Sequence, residues 1–381
     1  MKPRILYLAT ADARGHLMRA QLLSHALIER GAEVQLLTTS DEGAAFLAAF
    51  GLNATVLSRH YAVQFDTRQN MQRQATDRNV ARYVFDPRHM LRDIGRLRRQ
   101  LSGFDLVLND SFHPALLTMG CLPGWRRKVV HIYGASLLRA LLNNFRGRLP
   151  GWLARGFAAA IRFELGRARA CLQHDFAYIQ VERTAPRCFN LPTPVALAAG
   201  GAAPAVTQTA GVAVYLNPHF RDPQLAEGLE RGLAAVGLAG PMVGEGYAGR
   251  SGWQARDPQW IDAAARSALI VSAPGMAALS IAQVYGRPIL LLVTDQPEQI
   301  SNAERAAELG LHHEVLRWQG DGQAFAVQLE AAARRLLQAQ VGAVADGPAR
   351  ARERLESWVS CVLELATSPG QAQPLRSGVL S

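Results

Sequence analysis

Residues 268–310, ALIVSAPGMAALSIAQVYGRPILLLVTDQPEQISNAERAAELG, indicate how the chain folds. The apolar run ALIVSA ends at Pro274 and Gly275, and the helical pattern GMAALSIAQVYG follows it. A second apolar run, RPILLLVT, is followed by a second helical pattern, SNAERAAELG. Short apolar runs that alternate with helices are typical of parallel strands joined by crossover helices. The segment therefore predicts an α/β domain built on a doubly wound parallel sheet.

The same alternation occurs near the N-terminus. The runs RILYLAT and AEVQLLTT are predicted strands, and the helix between them is expected to stop at Gly31. The next helix, DEGAAFLAAF, has Ser40 as its predicted N-cap and Gly51 as its stop. FDLVLND and KVVHIYG are further predicted strands. A second doubly wound sheet is therefore expected in the first half of the chain.

A segment rich in Pro, Ala and Gly separates the two halves. It is FNLPTPVALAAGGAAPAVTQTAG, residues 189–211, and its composition is typical of a linker. The predicted organisation is an N-terminal domain (1–188), the linker, a second domain (212–345), and a C-terminal helix and tail (346–381). Two such domains facing across a cleft bind ligands at the carboxyl ends of their strands.

Charge is distributed unevenly along the chain. Residues 1–188 hold 27 Lys and Arg against 14 Asp and Glu, whereas the remaining residues hold 14 against 17. The first half therefore carries a net charge of +13, which predicts an anionic ligand or surface near it. No segment interleaves aromatic and basic residues, and neither a zinc finger nor a helix-turn-helix is recognisable. A nucleic-acid partner is therefore not expected.

The sequence favours a cytoplasmic protein. Its longest apolar runs are far shorter than the roughly 18–20 residues that span a bilayer. The first apolar run, residues 5–11, is too short for a secretory signal. The four cysteines are widely spaced without a CxxC motif and are expected to be reduced thiols. Nothing in the sequence indicates an oligomeric state.

One basic segment predicts contact with a membrane surface. In GRLPGWLARGFAAAIRFELGRARACL, Arg155, Arg162 and Arg169 recur every seven residues and would share one helix face. A basic amphipathic helix of this kind is typical of peripheral binding to anionic lipid, here at the inner face of the membrane. The alternative is an ordinary surface helix whose apolar face packs on the core.

The segment GHLMRAQLLSHALIERGAEVQLLTT, residues 15–39, together with residues 268–310, resembles the GT-B glycosyltransferases. The similarity is to the branch with the lipid-II-forming N-acetylglucosaminyltransferases and the glucuronosyltransferase-like enzymes. The resemblance implies two Rossmann-like domains facing across a cleft. It also implies a metal-independent hexosyltransferase that moves a sugar, with inversion, from a nucleotide-sugar to a hydroxyl acceptor. Acceptors of this branch include lipid-linked hydroxyls, so a lipid-linked acceptor is one expectation. The nucleotide-sugar is a substrate, and no cofactor is therefore expected.

The resemblance assigns catalytic roles to His16 and Asp110. His16 follows the first strand and corresponds to the general base, for which an imidazole suits physiological pH. Asp110 ends FDLVLND and corresponds to the carboxylate that orients this base. The alternatives are a helix-start role for His16 and a capping role for Asp110. His113 is a second candidate for the base.

The resemblance places the donor diphosphate at SAPGMAALS. Pro274 and Gly275 end a strand there, and the backbone N–H groups of Met276 and Ala277 would point at the phosphates. Ala273 and Ile281 stand where many relatives have a His and a Glu. These apolar replacements leave the nucleotide open. They also leave an alternative, a GT-B protein that isomerises or hydrolyses the nucleotide-sugar, or binds it without catalysis.

TDQPEQISNA supplies the predicted sugar-binding side chains. Glu298 and Gln299 match the "EQ..NA" form of the family motif, and Asp295 and Gln296 match its "DQ" form, so either pair is a candidate. The alternative is that Ser301 or Asn302 caps the following helix. The sequence has no Asp-x-Asp motif, so no metal is predicted.

Overall fold

The structure, a computed structural model, describes residues 2–11, 14–58, 87–136, 138–139, 151–198, 211–294, 296–338 and 346–368. These residues form two sheets, each with helices packed on its faces. The two doubly wound Rossmann-like domains expected from the sequence are thus confirmed. Among the helices of the described ranges, none is long and apolar enough to cross a membrane.

The first sheet has eight strands in the order β3-β2-β1-β4-β5-β6-β8-β7. All of its neighbouring strands are parallel except β7 and β8. In chain order its elements are β1 (Arg4–Ala9), α1 (Arg14–Glu29), β2 (Glu33–Thr38), α2 (Asp41–Ala48), β3 (Ala54–Val56), α3 (Pro87–Gln100), β4 (Leu106–Asp110), α4 (Pro114–Cys121), β5 (Val129–Gly134), α5 (Gly151–Arg167), β6 (Ala170–Asp175), β7 (Glu182–Ala185) and β8 (Cys188–Pro192).

The second sheet has six parallel strands in the order β11-β10-β9-β12-β13-β14. Its elements, followed by the C-terminal helix, are β9 (Val212–Leu216), α6 (Pro223–Ala235), β10 (Met242–Gly244), β11 (Trp253–Gln254), α7 (Trp260–Arg266), β12 (Leu269–Ser272), α8 (Met276–Tyr285), β13 (Ile289–Val293), α9 (Pro297–Glu308), β14 (His313–Arg317), α10 (Gly322–Gln338) and α11 (Gly347–Thr367).

Helix ends follow the predicted capping chemistry in one case and depart from it in another. Ser40 Oγ accepts a hydrogen bond from the Gly43 N–H at 3.0 Å and caps α2, as the sequence predicts. Helix α9 begins earlier than the sequence suggests, because Gln296 is its N-cap. Pro297 fits the first helical position because its fixed φ suits a helix and its missing N–H would be unpaired there anyway. Ser301 and Asn302 therefore lie inside α9 and do not cap it.

The first domain extends beyond its predicted boundary at residue 188. Strand β8 pairs with β6 as far as Pro192, so residues 189–192 belong to the sheet and not to the linker. Phe189 and Leu191 alternate into the core there, which explains why a segment of linker-like composition forms a strand.

The C-terminal helix α11 returns to the first domain. The Trp358 side chain is fully buried in the core that contains Ile5, Tyr7 and Leu27. Its indole N–H donates to the Pro192 carbonyl at 2.8 Å. The last helix therefore completes the hydrophobic core of a domain whose strands are all formed by the first half of the chain.

Candidate active site

The predicted base cluster and the predicted diphosphate turn lie where the strand order of each sheet reverses. In the first sheet this point is between β1 and β4, where Ala9 is opposite Asp110. In the second sheet it is between β9 and β12, where Tyr215 is opposite Ser272. The connections after such strand pairs leave on opposite faces and open a crevice at their carboxyl ends. His16 follows β1, Asp110 ends β4 and the diphosphate turn follows β12, whereas the predicted sugar-binding residues follow the neighbouring strand β13.

The carboxyl edges of the two sheets face each other, as two contacts between the domains demonstrate. Arg14, at the start of α1, forms an ion pair with Glu245, which follows β10. Ser136 Oγ, which follows β5, donates to Glu298 Oε1 at 3.1 Å. The two clusters therefore belong to one cleft between the domains.

His16 and Asp110 are brought together, but not in direct hydrogen-bond contact. His16 Nδ1 lies 3.7 Å from Asp110 Oδ1. Ser111 Oγ lies between them, 2.6 Å from His16 Nδ1 and 3.1 Å from Asp110 Oδ1. The His16 side chain is 18% exposed, whereas that of Asp110 is fully buried. The role of His16 as a base stays a prediction, and the bridging hydroxyl is a feature that sequence reasoning missed.

Arg19, one turn after His16 on α1, binds the Asp110 carboxylate from the interior. Its Nε donates to Asp110 Oδ2 at 2.8 Å, and its Nη2 donates to Oδ1. The Tyr7 hydroxyl donates to the same Oδ2, also at 2.8 Å. The remaining nitrogen, Nη1, contacts His174 Nε2. Asp110 is therefore held by a bidentate arginine, the strongest common form of carboxylate pairing.

The protonation states of this network are fixed by burial and by charge. Burial, then Arg19 and His16, lower the pKa of His174 well below its usual value, so its ring is neutral. Burial and Asp110 raise the pKa of Tyr7, which stays a hydroxyl donor. Burial lowers the pKa of Arg19, but Asp110 more than compensates and the net shift is upward. Of these groups, His16 is the one that extends toward solvent.

The turn after β4 carries backbone strain. Ser111 has φ 73° and Phe112 has φ 63°, both in the left-handed region that non-glycine residues rarely adopt. Each such residue costs on the order of 1 kcal/mol or more. The Asn109 side chain closes the turn, since its Nδ2 donates to the His113 carbonyl at 3.2 Å and its Oδ1 accepts from the His113 N–H at 2.9 Å. This turn sets the direction of the Ser111 hydroxyl.

His113, the second candidate for the base, does not line the cleft. Its side chain is fully buried, and its Nε2 lies 3.8 Å from Asp93 Oδ2. A ring in this position has no access to an acceptor hydroxyl. His16 is therefore the better placed of the two histidines.

The predicted diphosphate turn is an open helix start. Gly275 is the N-cap residue of α8, and a Cβ added to it would meet no atom within 4 Å. The first N–H groups of a helix, here those of Met276 and Ala277, have no partner within the helix. Asn302 Nδ2 donates to the Pro274 carbonyl at 2.9 Å and ties the turn to α9. The turn thus has the geometry of an anion site.

The two apolar replacements in this region face the protein interior. Ala273 and Ile281 are both 4% exposed and pack in the hydrophobic core of the second domain. Position 281 lies on the face of α8 that packs inward, so its side chain does not reach the cleft. The ribose-binding Glu of the resembled family consequently has no counterpart at this position.

The predicted sugar-binding residues divide into a structural group and a cleft group. Gln299 is buried, and its Oε1 accepts from the Thr294 N–H at 2.9 Å and from the Thr294 hydroxyl at 3.1 Å. It therefore holds the loop after β13. Gln296 is the half-buried N-cap of α9, and Asp295 lies outside the described residues. Glu298 faces the opposite domain.

Glu298 has the environment of a ligand-binding carboxylate. Desolvation by the surrounding protein raises the pKa of Glu298, and the hydrogen bond from Ser136 opposes that effect. Part of the side chain nevertheless remains exposed to solvent. A carboxylate that faces the opposite domain can accept hydrogen bonds from sugar hydroxyls.

A second polar cluster between the domains was not predicted. Two guanidinium groups lie near the Phe46 ring on α2, with Arg14 Cζ 5.1 Å and Arg256 Cζ 5.5 Å from its centroid. Glu245 pairs with Arg14 and lies 3.9 Å from Arg256 Nε. We call these four residues the interdomain cluster. They come from four distant segments, so no local sequence pattern marks them.

The basic segment forms α5 but does not carry three arginines on one face. Arg155 and Arg162 are exposed on it, together with Trp152 (68% exposed) and Phe163 (57%). The helix ends at Arg167, so the predicted third member, Arg169, lies beyond it.

Arg169 instead binds backbone carbonyls. Its Nη1 donates to the Arg127 carbonyl at 2.7 Å, and its Nη2 donates to the carbonyl of Ser368, just after α11. The prediction that Arg169 shares the exposed face is therefore wrong. A seven-residue spacing implies a shared face only while the helix continues.

A metal site is not evident in the part of the chain that is described. No group of three or more His, Cys, Asp or Glu side chains there is placed to hold a metal ion. Independence from metal stays a prediction.

Comparison with known proteins identifies the fold. No protein-family model matches the chain, and no curated protein does. Among solved structures, the chain is similar to the spinosyn rhamnosyltransferase SpnG, with 17% identity and a TM-score of 0.60 over 96% of this chain and 100% of that one. It is also similar to UGT89C1 from Arabidopsis thaliana, with 14% identity and a TM-score of 0.59 over 96% and 100%.

A third similar structure is the calicheamicin glycosyltransferase CalG4, with 17% identity and a TM-score of 0.57 over 94% of this chain and 95% of that one. At such low identities the likeness concerns the fold. The chain has the GT-B fold, with two Rossmann-like domains facing across a cleft, as the sequence resemblance implies. These neighbours do not test the expected lipid-II-forming branch.

Proposed function

We propose that this protein is a glycosyltransferase that moves a hexose from a nucleotide-sugar donor to a hydroxyl acceptor, with inversion and without a metal. The observation that carries the proposal is the pairing of two sites across one cleft. A partly exposed imidazole backed by a buried carboxylate lies on the first domain, and an open helix start lies on the second. These are the two groups that sugar transfer from a nucleotide requires, a base and an anion site.

In the proposed reaction, His16 Nε2 accepts the proton of the acceptor hydroxyl as its oxygen attacks the anomeric carbon. The bond from that carbon to the diphosphate oxygen breaks on the opposite face, so the configuration inverts. The nucleoside diphosphate leaves with the bonding electrons. The N-terminus of α8, from Gly275 to Ala277, stabilises the leaving charge through its free N–H groups.

The sugar is proposed to lie against α9. Among the described members of the predicted quartet, Glu298 is the one that contacts the opposite domain, and it accepts hydrogen bonds from sugar hydroxyls in this proposal. One of the similar structures, SpnG, is complexed with thymidine diphosphate. Thymidine diphosphate and its sugars are therefore the first donors to test.

The buried Ala273 and Ile281 favour a second candidate function. Without polar groups at these positions the donor site has fewer contacts than in the resembled family. A protein that binds a nucleotide-sugar and hydrolyses or isomerises it, or binds it without catalysis, would fit a reduced donor site. An assay has to distinguish transfer from these outcomes.

The decisive experiment incubates the protein with a panel of nucleotide-sugars, with and without hydroxyl acceptors and lipid extract. Release of nucleoside diphosphate that requires acceptor, with a glycosylated product by mass spectrometry, supports transfer. His16→Ala is expected to lower turnover by roughly 10²–10⁴-fold and to leave donor affinity unchanged. His25→Ala on the same helix, whose ring contacts the Phe50 carbonyl at 3.0 Å, is the matched control. Release without acceptor contradicts transfer, and unchanged turnover of His16→Ala removes His16 as the base.

We further propose a lipid-linked acceptor, with the protein resting on the inner face of an anionic membrane through α3 and α5. Both helices pack against α4 and so lie on the same face of the first sheet. Their exposed side chains combine cations with large apolar groups, namely Leu91, Trp152, Arg155, Arg162 and Phe163. Interfacial aromatic residues beside arginines suit a headgroup layer.

A further inference from the structure

We infer that Ser111 is a positioning residue that keeps the neutral His16 ring in the tautomer with its proton on Nδ1. This inference rests on the proposed role of His16 as the base. In that tautomer Nε2 carries a lone pair and is ready to accept a proton. The opposite tautomer would present an N–H to the acceptor and could not act as a base through Nε2.

Hydrogen-bond accounting supports this assignment. The Ser111 hydroxyl has one proton and touches two acceptor-capable atoms, Asp110 Oδ1 at 3.1 Å and His16 Nδ1 at 2.6 Å. Donation to the carboxylate is the stronger, charge-assisted choice. The hydroxyl oxygen must then accept a hydrogen bond from His16, which requires the proton on Nδ1. Ser111 thus transmits the negative charge of Asp110 to a ring that the carboxylate does not reach itself.

The backbone at Ser111 supports the same conclusion. Its φ of 73° is one that glycine adopts without strain and serine does not. The conformation is enforced from two directions, by the Asn109 side chain that closes the turn and by the Ser111 N–H, which donates to the Ile132 carbonyl at 2.9 Å. Strain held in place by surrounding contacts is typical of functional positions. Here a side chain is present where glycine would be easier, and that side chain is the one that touches His16.

One contact competes with this arrangement. Arg19 Nη2 lies 3.1 Å from His16 Nδ1 as well as donating to Asp110. If its second proton were donated to His16, the ring would carry its proton on Nε2. The two arrangements predict opposite tautomers, so the tautomer decides between them.

The first test is spectroscopic and needs no substrate. Long-range ¹H–¹⁵N correlation spectra of the protein labelled in its histidine rings report the tautomer of each neutral ring. The His16 signals are identified by their loss in His16→Gln. We expect the proton on Nδ1 in the wild type and a mixed or Nε2-protonated ring in Ser111→Gly. An Nε2-protonated ring in the wild type, or an unchanged ring in Ser111→Gly, would overturn the inference.

The second test separates positioning from structure. Ser111→Gly relieves the backbone strain, so its unfolding midpoint is expected to stay level or rise by about 1–2 °C. Turnover is expected to fall roughly 10- to 100-fold, the range found when an orienting partner is lost. Asp346→Gly is the matched control, because Asp346 has φ 76°, no side-chain capping bond and a position outside the cleft. It should change stability alone.

The outcomes also separate this inference from the proposed function. Full turnover in Ser111→Gly with low turnover in His16→Ala would refute the role of Ser111 and leave His16 as the base. Full turnover in both variants would refute the role of His16. The tautomer measurement then still shows whether Ser111 controls the ring.

Discussion

Arg19 and Asp110 form a buried bidentate pair, in which Arg19 Nε lies 2.8 Å from Asp110 Oδ2 and Nη2 donates to the other oxygen. Their side chains are 5% and 0% exposed. Arg19 therefore neutralises Asp110, the carboxylate that the resemblance pairs with His16. Its influence on His16 passes through Ser111.

This pairing predicts that Asp110→Asn acts mainly on stability. Removing one partner of a buried ion pair leaves the other charge uncompensated, which costs about 3–5 kcal/mol. We expect that loss in urea unfolding. The double variant Asp110→Leu with Arg19→Met should lose less than the sum of its single variants, because neither charge then remains.

Asp105→Asn, just before the opposite end of β4, is the control for that experiment. Asp105 accepts an exposed hydrogen bond from the Arg4 N–H, so its replacement should cost under about 1 kcal/mol. A loss for Asp110→Asn as small as that of Asp105→Asn would show that the pair contributes little.

Gly275→Leu is expected to block the donor site and leave the fold intact. The glycine has an ordinary φ of −85°, and no atom lies near the position of an added Cβ. The new side chain would therefore occupy the space proposed for the diphosphate. Calorimetry with thymidine and uridine diphosphates should show affinity reduced more than tenfold. Gly124→Leu, an exposed glycine with equally free space, should bind normally. Equal affinities for both variants would place the nucleotide elsewhere.

The membrane proposal predicts binding to anionic vesicles that rises with anionic lipid content and falls with salt. Each arginine near such a surface contributes about 1 kcal/mol. The double variant Arg155→Gln with Arg162→Gln should therefore bind vesicles with an affinity lower by about tenfold or more. Sedimentation with vesicles of defined composition measures it.

Two sets of control variants test whether vesicle binding depends specifically on the exposed arginines of α5. Arg266→Gln and Arg334→Gln remove exposed arginines from the second domain and should leave binding unchanged. Arg169→Gln should also leave binding unchanged and instead lower thermal stability, because that side chain holds the carbonyl of Ser368. If the protein bound neutral and anionic vesicles equally, α5 would be an ordinary surface helix and an acceptor outside the membrane would be favoured.

Cys188 is expected to be the most readily alkylated of the half-buried thiols. It lies opposite Cys171 on adjacent parallel strands, and the neighbouring Cys171 thiol lowers the pKa of Cys188 to about 7. The thiolate form therefore accumulates as pH rises through 7, and the alkylation rate should level off above that value. Cys121 is also half-buried, but burial raises its pKa, so its rate should still be rising at pH 9.

Peptide-resolved mass spectrometry after timed treatment with iodoacetamide measures both rates. Cys171→Ala removes this neighbouring thiol and should shift the Cys188 profile to higher pH. Parallel profiles for Cys188 and Cys121 would show that the neighbouring thiol has no such effect.

Much of the fold follows from local sequence. Apolar runs of strand length, helical periodicity, the Ser40 cap and the glycine stops define both sheets and most of their helices. The end of the first domain was harder to predict than its strands, because the Pro- and Ala-rich composition after residue 188 masks the alternation of Phe189 and Leu191. Composition reports an average, whereas strand pairing depends on individual side chains.

The site was predictable in its location but not in its connections. Asp110 ends β4, and His16 lies in the first turn of the helix that follows the adjacent strand β1, so topology brings them together. The contacts of Arg19 with Asp110 and His174 join α1 to two strands distant in sequence, and no local pattern encodes them. The direction of the Ser111 hydroxyl depends on a left-handed backbone that nothing in the letters NDSFH requires.

The return of α11 to the first domain affects how the protein is made. A ribosome that has released residues 1–192 has delivered every strand of the first sheet. It has not delivered Trp358, Val362 or Leu365, which fill the core beneath α1. The domain synthesised first therefore cannot be completed first, and its exposed apolar gap has to persist while the second domain emerges. We expect the second domain to fold during synthesis and the first to close only once α11 has emerged from the ribosome.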